Sequence, residues 1–262
     1  MWYGHGSRAE FFNLNLRPHC NMGFGGGKGE WLSEERPLSS YILSPWYRSH
    51  GIHGVPFDIV NPEENEGKSC VVLWPPSKIK LKVGVKTKAI YFLHALHNAR
   101  QGGRIIYTLQ YSDGQQEQIL ARSGIEVTDW NNPYLTQKSI PIGSWTGVSV
   151  FEWTNPRPNV RIEEMVIEGQ GPAVPIILAI TLSEIEPFLQ EKISASLGVV
   201  DHVRVVAPSK VVVGEPFTVH LMVCGRYGEN ILSYPSPIAV YFSSTDRYAG
   251  YQELFFPIRA TT

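Results

Sequence analysis

The sequence predicts an all-β protein built as a β-sandwich or jelly roll. Short apolar stretches alternate with a period of two residues, and turn residues recur between them, with 24 Gly and 19 Pro in 262 residues. No stretch before residue 182 has the 3.6-residue period of an amphipathic helix. About eight strands at such short spacing are typical of sandwiches and jelly rolls.

The predicted strands differ in how deeply they should be buried. Lys78–Lys86 alternates apolar and polar residues like a half-buried strand, whereas Lys88–Leu96 is almost continuously apolar and should be central and covered on both faces. In Arg104–Ala121, the dipeptide Asp113-Gly114 between two β-rich stretches predicts a tight hairpin. Further strands are expected at Gly147–Pro156 and in the stretches RIEEMVIEG and VPIILAITL.

The stretch GIHGVPFDIVNP, residues 51–62, predicts a sharp bend that leads into another strand. Gly51 and Gly54 permit backbone angles that other residues resist. Phe57 and Ile59 should then face one side and Asp58 the other. We expect Asp58 to cap a turn or to accept backbone N–H groups, and not to act in catalysis.

The chain changes character after residue 182. Residues 183–199 predict a linker or a short helix, and Pro187 should interrupt any helix. Alternating apolar patterns return from residue 200, but residues 200–262 are fewer than the roughly 100 of a complete immunoglobulin-like sandwich. We interpret them as part of such a domain, in a chain that is a piece of a longer protein.

Charge and composition argue against several classes of function. The net charge is −1 with no basic stripe, so capture of nucleic acid is not expected. No apolar run reaches about 18 residues, so we expect no membrane span, and the first residues lack a signal-peptide pattern. The chain is therefore either cytoplasmic or an internal piece of a secreted protein. Cys20, Cys70 and Cys224 are interpreted as buried small residues, a Cys20–Cys70 bridge being the alternative.

Five motifs in order carry a resemblance to a known module: GVPFDIVNPEENEGKS, VKTKAIYFLHAL, YSDGQQEQILARSGIEVTDW, FEWTNPRPNVRIEEMVIEG and PIILAIT. Over about residues 9–182 the chain resembles the galactose-binding-domain-like, carbohydrate-binding-module-like jelly roll of large secreted bacterial proteins, and FFNLNLRPHCNMGFGG fits its first strand. The stretch VGEPFTVHLMVCGRYGEN resembles the opening of a bacterial immunoglobulin-like repeat.

This resemblance implies a non-catalytic carbohydrate-binding or adhesion module, placed outside the cell or at its surface as part of a longer chain. The implied partners are a polysaccharide or cell-surface glycan and neighbouring domains of the same polypeptide. Two alternatives stay open: a structural spacer or packing domain with no ligand of its own, and a hydrolase with an unrecognised site.

Aromatic residues in loops beside polar groups are the candidate ligand contacts. Sugars stack their C–H faces on aromatic rings and hydrogen-bond to polar groups at the rim of the site. The stretch SPWYRSH offers the best platform, while Trp153 lies in mid-strand and is assigned to the core. The candidate ligand-binding residues are Trp46, Tyr47, Arg48, His50, Trp130, Asn131, Tyr134 and Trp145.

Metal and catalytic sites have weaker signals. The pairs His50/His53 and His94/His97 are spaced so that an extended chain points the two rings to opposite faces, so we expect exposed or turn histidines. The oxygen-rich stretches NPEENEGK and TDWNN make a structural calcium ion a candidate cofactor, as the resemblance also implies. No nucleophile motif and no pair of carboxylates suggests a catalytic residue.

Overall fold

The computed structural model describes residues 10–23, 51–99, 102–131, 135–143, 146–210, 212, 215, 217–226, 231, 238–242 and 252–256. In the last two ranges only the backbone is described. Within these residues the chain is mostly β-structure, which confirms the all-β prediction at that level. The finer assignment to a jelly roll, the immunoglobulin-like continuation and the domain boundaries stay predictions.

Two antiparallel sheets form the main body. The first sheet has the order β1-β10-β4-β8-β7, with β2 pairing beside β1 on the same edge of β10. Its strands are β1 (Phe11–Asn13), β2 (Val71–Val72), β4 (Ala89–His97), β7 (Ser139–Gly143), β8 (Thr146–Thr154) and β10 (Val174–Ser183). The second sheet, β3-β9-β5-β6, contains β3 (Lys78–Val85), β5 (Arg104–Tyr111), β6 (Gln116–Arg122) and β9 (Ile162–Gln170).

The two sheets face each other across a hydrophobic core. Strand β4 contributes Ile90, Phe92 and Leu96, and the second sheet contributes a matching row from β5 and β9. The Phe92 and Tyr107 rings lie 4.1 Å apart between their centroids. Alternate side chains of each strand enter this core, as the pleat of a sheet requires.

The outer face of the first sheet is covered as well. Tyr91 and Leu93 of β4 belong to a second buried cluster, which includes Ile52 and Val55 from the bend and Leu189 from helix α1 (Leu189–Ser196). Strand β4 is therefore buried on both faces, as its continuous apolar run predicted. Strand β3, at the edge of its sheet, has the mixed burial predicted from its alternation.

The bend at residues 51–62 differs from the predicted strand entry. His53 and Gly54 both have positive φ, and Ile52 and Val55 exchange two backbone hydrogen bonds around them, as in the tight turns that require positive φ at both central residues. Residues 56–60 are not a strand, although Phe57 and Ile59 do pack on the outer cluster. Asp58 is exposed and caps no turn among the described residues, so that expectation was wrong.

The predicted hairpin is present with a longer turn than expected. Strands β5 and β6 pair from Gln110–Gln116 to Arg104–Arg122. Gly114 N–H bonds to the Tyr111 carbonyl at 3.0 Å, and Gly114 has φ 85°. The three-residue loop therefore combines a type I-like turn with a glycine in the left-handed region.

Helix α1 begins two residues after Pro187, which keeps the proline outside the helix. Its start has no side-chain cap of its own. Instead, the Glu152 carboxylate on β8 accepts hydrogen bonds from the backbone N–H groups of Phe188, Leu189 and Gln190 at 2.7, 2.8 and 3.1 Å. A strand residue thus fixes the helix against the outer face of the first sheet.

The remaining strands form two further two-stranded sheets. Strand β11 (His202–Val206) pairs with β12 (His220–Cys224), and β13 (Ile238–Phe242) pairs with β14 (Gln252–Phe256). All three cysteines are buried thiols, as predicted for small buried residues, and Cys20 and Cys70 are not bonded to each other. In the part of the chain that the structure describes, no helix has the length and apolar character needed to cross a bilayer.

For one of the two histidines of β4, the expectation of an exposed or turn position was wrong. His94 is fully buried between the sheets, where its Nδ1 accepts from the Tyr107 hydroxyl at 2.7 Å and its Nε2 donates to the Glu126 carbonyl at 3.0 Å. It is neither exposed nor in a turn. Burial lowers the pKa of His94 to about 4, so the ring is neutral at pH 7. His97 does lie toward the opposite face, as the spacing predicted, where it contacts Trp130.

Candidate functional site

One end of the sandwich gathers aromatic and polar side chains from both sheets. Strands β4 and β9 end there, and β5 and β10 begin there, because His97 pairs with Val174 and Arg104 pairs with Gln170. We call this the loop end, meaning the described residues among 73–77, 97–104, 122–131 and 170–174. It is the part of the described structure in which predicted site residues are found.

Trp74 is the most exposed tryptophan of the described residues. Its relative exposure is 52%, and it lies two residues after β2 on the crossing from the first sheet to the second. The crossing is fixed by hydrogen bonds from Leu73 N–H to the Pro175 carbonyl at 3.0 Å and from Ser77 N–H to the Trp74 carbonyl at 2.8 Å. Trp74 was not among the site residues predicted from the sequence. The stretch LWPPS, a tryptophan followed by turn residues, was the signal that could have found it.

Trp130 is held rigidly beside the end of β4. Its N–H bonds to the Leu96 carbonyl at 2.9 Å, and its carbonyl accepts from Gly147 N–H at 2.7 Å. The indole Nε1 donates to His97 Nδ1 at 3.1 Å. Indole nitrogen can only donate, so His97 Nδ1 carries no proton in this contact. The ring is partly buried against the outer cluster, so Trp130 combines packing with partial exposure.

Asp129 joins the two loops beside Trp130. One carboxylate oxygen accepts from Ala99 N–H at 2.8 Å and the other accepts from Asn131 N–H at 3.0 Å. Asn131 itself is exposed. Of the predicted ligand-binding residues, the structure therefore brings Trp130 and Asn131 together at the loop end, with Asp129 as the residue that positions their loop.

A shallow groove of about 350 Å³ lies in the same end, lined by Gly103, Arg104, Arg122, Gln170 and Gly171. Arg122, Arg104 and Gln170 are register partners on β6, β5 and β9 and form one row across the second sheet. Gly103 and Gly171 are both at positive φ, and a Cβ added to Gly103 would lie 2.6 Å from the Cβ of Ala173. Close backbone packing therefore keeps this part of the groove free of side chains.

The groove is connected to Trp130 through hydrogen bonds. Ser123 N–H donates to the Gly103 carbonyl at 3.1 Å, and the Ser123 hydroxyl donates to the Ala99 carbonyl at 3.1 Å. Ala99 in turn donates to Asp129. The groove and the Trp130 loop are thus parts of one bonded unit.

Two arginines in the groove differ in their partners. Arg122 binds Glu126 through Nε at 3.1 Å and Nη2 at 2.7 Å, and Lys138 Nζ lies 3.6 Å from the same carboxylate. Burial of Glu126 would raise its pKa, but the bonds from Arg122 and the nearby charges outweigh burial and lower it. Arg104 bonds through Nε to Gln170 Oε1 and has no carboxylate partner among the described residues.

The other predicted site residues cannot be placed. Residues 24–50, 132–134 and 144–145 lie outside the described residues, and this covers Trp46, Tyr47, Arg48, His50, Tyr134 and Trp145. Trp153, assigned to the core, is partly buried against the inter-sheet cluster.

The oxygen-rich stretches proposed for calcium serve other contacts in the described structure. Asn61 Oδ1 accepts from Glu63 N–H at 3.2 Å, and Glu64 pairs with Arg17 at 3.2 Å. Asp129 is used as described above. Among the described residues, no group of three or more His, Cys, Asp or Glu side chains is arranged to hold a metal ion. Calcium binding stays a prediction.

Two residues with strongly shifted pKa values lie outside the loop end. Burial lowers the pKa of His53 to about 3, with a further contribution from Lys192, while its Nε2 contacts the Pro141 carbonyl at 2.7 Å. Burial also raises the pKa of Tyr107 well above its usual value. Neither residue lines the groove at the loop end.

Comparison with known proteins adds no relative to this picture. No family model, no curated protein and no solved structure matches the chain.

Proposed function

We propose that this chain is a non-catalytic carbohydrate-binding or adhesion module of a larger secreted or surface protein, and that the loop end is its binding surface. The observation that carries the proposal is the presence of Trp74, 52% exposed, and the rigidly held Trp130 at the same end of the sandwich. Exposed polar residues lie at the same end of the sandwich, among them Asn131, Arg104 and Gln170.

This arrangement suits a polyhydroxylated ligand. The apolar C–H face of a sugar ring stacks on an indole, and its hydroxyl groups bond to amide and guanidinium groups at the rim. Because the indole Nε1 already donates to His97 and the ring packs on the outer cluster, little of the side-chain freedom of Trp130 is lost on binding. Such a module would raise the local concentration of a linked domain at the glycan surface.

The test is a glycan array and a pull-down on insoluble polysaccharides, using the whole chain with and without Ca²⁺. Trp74→Ala should weaken binding about tenfold or more, as truncation of an aromatic anchor usually does. Phe217→Ala is the matched control, because Phe217 is a comparably exposed aromatic, at 55%, outside the loop end. It should leave binding unchanged.

Three other results would redirect the proposal. Loss of binding in a Trp46→Ala/Tyr47→Ala double variant, with Trp74→Ala unaffected, would move the site to the stretch SPWYRSH. Hydrolysis of a polysaccharide by the wild-type chain would favour the hydrolase alternative. Absence of binding to every glycan would contradict the proposal.

The spacer alternative has one observation in its favour. In the described structure, Val203, Val205 and Val206 of β11 are 40%, 60% and 45% exposed. Exposed apolar side chains grouped in this way are typical of surfaces that pack on another protein or domain. A chain that binds no glycan but associates with a neighbouring domain through β11 would support this alternative.

A further inference from the structure

Two arginines of the groove, Arg104 and Arg122, lie side by side and repel each other. Arg104 and Arg122 are direct register partners on adjacent antiparallel strands. Like charges placed directly opposite each other in a sheet destabilise it, whereas opposite charges or neutral pairs do not. A fold tolerates such a pair of like charges when a negatively charged group compensates for the repulsion.

Glu126 compensates only one of the two arginines. Its carboxylate, almost fully buried, takes two side-chain bonds and one backbone bond from Arg122 and lies near Lys138. Arg122 and Lys138 therefore share the Glu126 carboxylate, and Arg104 is left without a carboxylate partner among the described residues. The next row along the strands is balanced, since Glu168 faces Lys78.

Arg104 is also held in a geometry suited to a ligand. Its Nε donates to Gln170 Oε1, and this bond orients the guanidinium group. The two terminal nitrogens of Arg104 donate to no group among the described residues. Arg104 is exposed, and the glycines beside it leave open space in the groove. Two parallel N–H donors in a fixed plane match the two oxygens of a carboxylate.

We propose that this groove binds the anionic group of an acidic glycan, with Arg104 as the direct contact and Gln170 as the positioning residue. The inference rests on the proposed function and specifies its ligand class: a glycan that carries uronic-acid carboxylates. A sulfate ester offers the same oxygen geometry, and the experiment separates the two. The groove is connected to the Trp130 loop by hydrogen bonds through Ser123 and Ala99.

The experiment is calorimetric titration of the whole chain with three oligosaccharides: an oligouronate, the same oligosaccharide with its carboxylates reduced to alcohols, and a sulfated neutral oligosaccharide. The oligouronate should bind at least about tenfold more tightly than its reduced form, as a charge-assisted bidentate bond implies. Arg104→Gln should remove that difference, and Arg104→Lys should not restore it. Gln170→Ala should reduce the preference partly.

Arg161→Gln is the matched control, because Arg161 is an exposed arginine at the opposite end of the sandwich, paired with Glu163. It removes the same charge and should leave the preference intact. The uronate preference should also fall between about 50 mM and about 500 mM salt, since an exposed ion pair is screened.

The outcomes separate the inference from the proposed function. Equal binding of the oligouronate and its reduced form, or a preference that survives Arg104→Gln, would overturn the inference and leave glycan binding in place. Preference for the sulfated sugar over the uronate would overturn the assignment to carboxylates. If no oligosaccharide binds, while free glucuronate still shifts the Arg104 Nε–H resonance, the groove stands and the proposed function fails. Absence of both signals overturns both.

Discussion

Glu152 caps the start of helix α1, and the loss of stability on removing this cap can be estimated from the structure. The carboxylate accepts from Phe188, Leu189 and Gln190 at 2.7, 2.8 and 3.1 Å. In Glu152→Ala these three donors lose their acceptor. The Phe188 and Leu189 bonds are partly buried, while the Gln190 bond is exposed and water can replace it.

The expected loss of stability is about 2–3 kcal/mol. Removal of an N-cap acceptor costs about 1 kcal/mol and up to about 2, and a partly buried donor that loses a charged acceptor costs about 1–3. These two figures describe overlapping effects, so they are not added. The helix also buries Leu189 and Ile193 on the first sheet, so loosening it should expose the outer cluster as well.

The assay is urea unfolding followed by circular dichroism, together with amide hydrogen exchange over residues 188–196. Glu186→Gln is the control, because its side chain is 78% exposed and pairs only with Lys88 at the surface. Such a pair contributes about 0–1 kcal/mol. If Glu152→Ala unfolds at the same urea concentration as Glu186→Gln, with unchanged exchange in α1, the capping account is refuted.

Three further predictions concern stability. Burial lowers the folded pKa of His94 to about 4 and that of His53 to about 3, both below the ordinary 6.5, so the unfolded chain binds more protons as the pH falls below 6.5. Each histidine should then reduce stability by roughly 1 kcal/mol per pH unit down to its folded pKa, and equal urea midpoints at pH 7 and pH 5 would contradict this. Gly103→Ala should lower the melting temperature far more than Gly67→Ala, because only at Gly103 would a Cβ meet Ala173, at 2.6 Å; similar shifts would refute the close packing. Tyr111→Phe should cost about 1 kcal/mol, because the hydroxyl donates to Asn155 at 2.6 Å in a buried site; an unchanged free energy of unfolding would count against that bond.

Periodicity in the sequence was enough to predict most of the sandwich strands. The alternation in Lys78–Lys86 and the continuous apolar run at Lys88–Leu96 reflect the number of buried faces on each strand, and this signal is local in sequence. Strands β2 and β7 were missed, since two to five residues give too short a pattern.

The errors came from contacts that are distant in sequence. His94 is satisfied by Tyr107 and by the Glu126 carbonyl, which lie on other elements, so nothing beside it in the sequence indicated burial. The cap on α1 comes from a residue 36 positions before Phe188. At the loop end, register alone places Arg104 opposite Arg122 and Gln170, whereas Trp130 and Asn131 could be chosen from their loop composition.

The central claim is that the loop end is a glycan-binding surface, and mapping backbone amide resonances on addition of a bound oligosaccharide tests it most directly. We expect shifts in the amides of residues 73, 74, 77, 97–99, 102–104 and 129–131. Residues 112–115 and 155–161, at the opposite end of the sandwich, serve as the internal reference and should stay unchanged. Shifts confined to the opposite end, or no shifts in any residue with every glycan tried, would contradict the account.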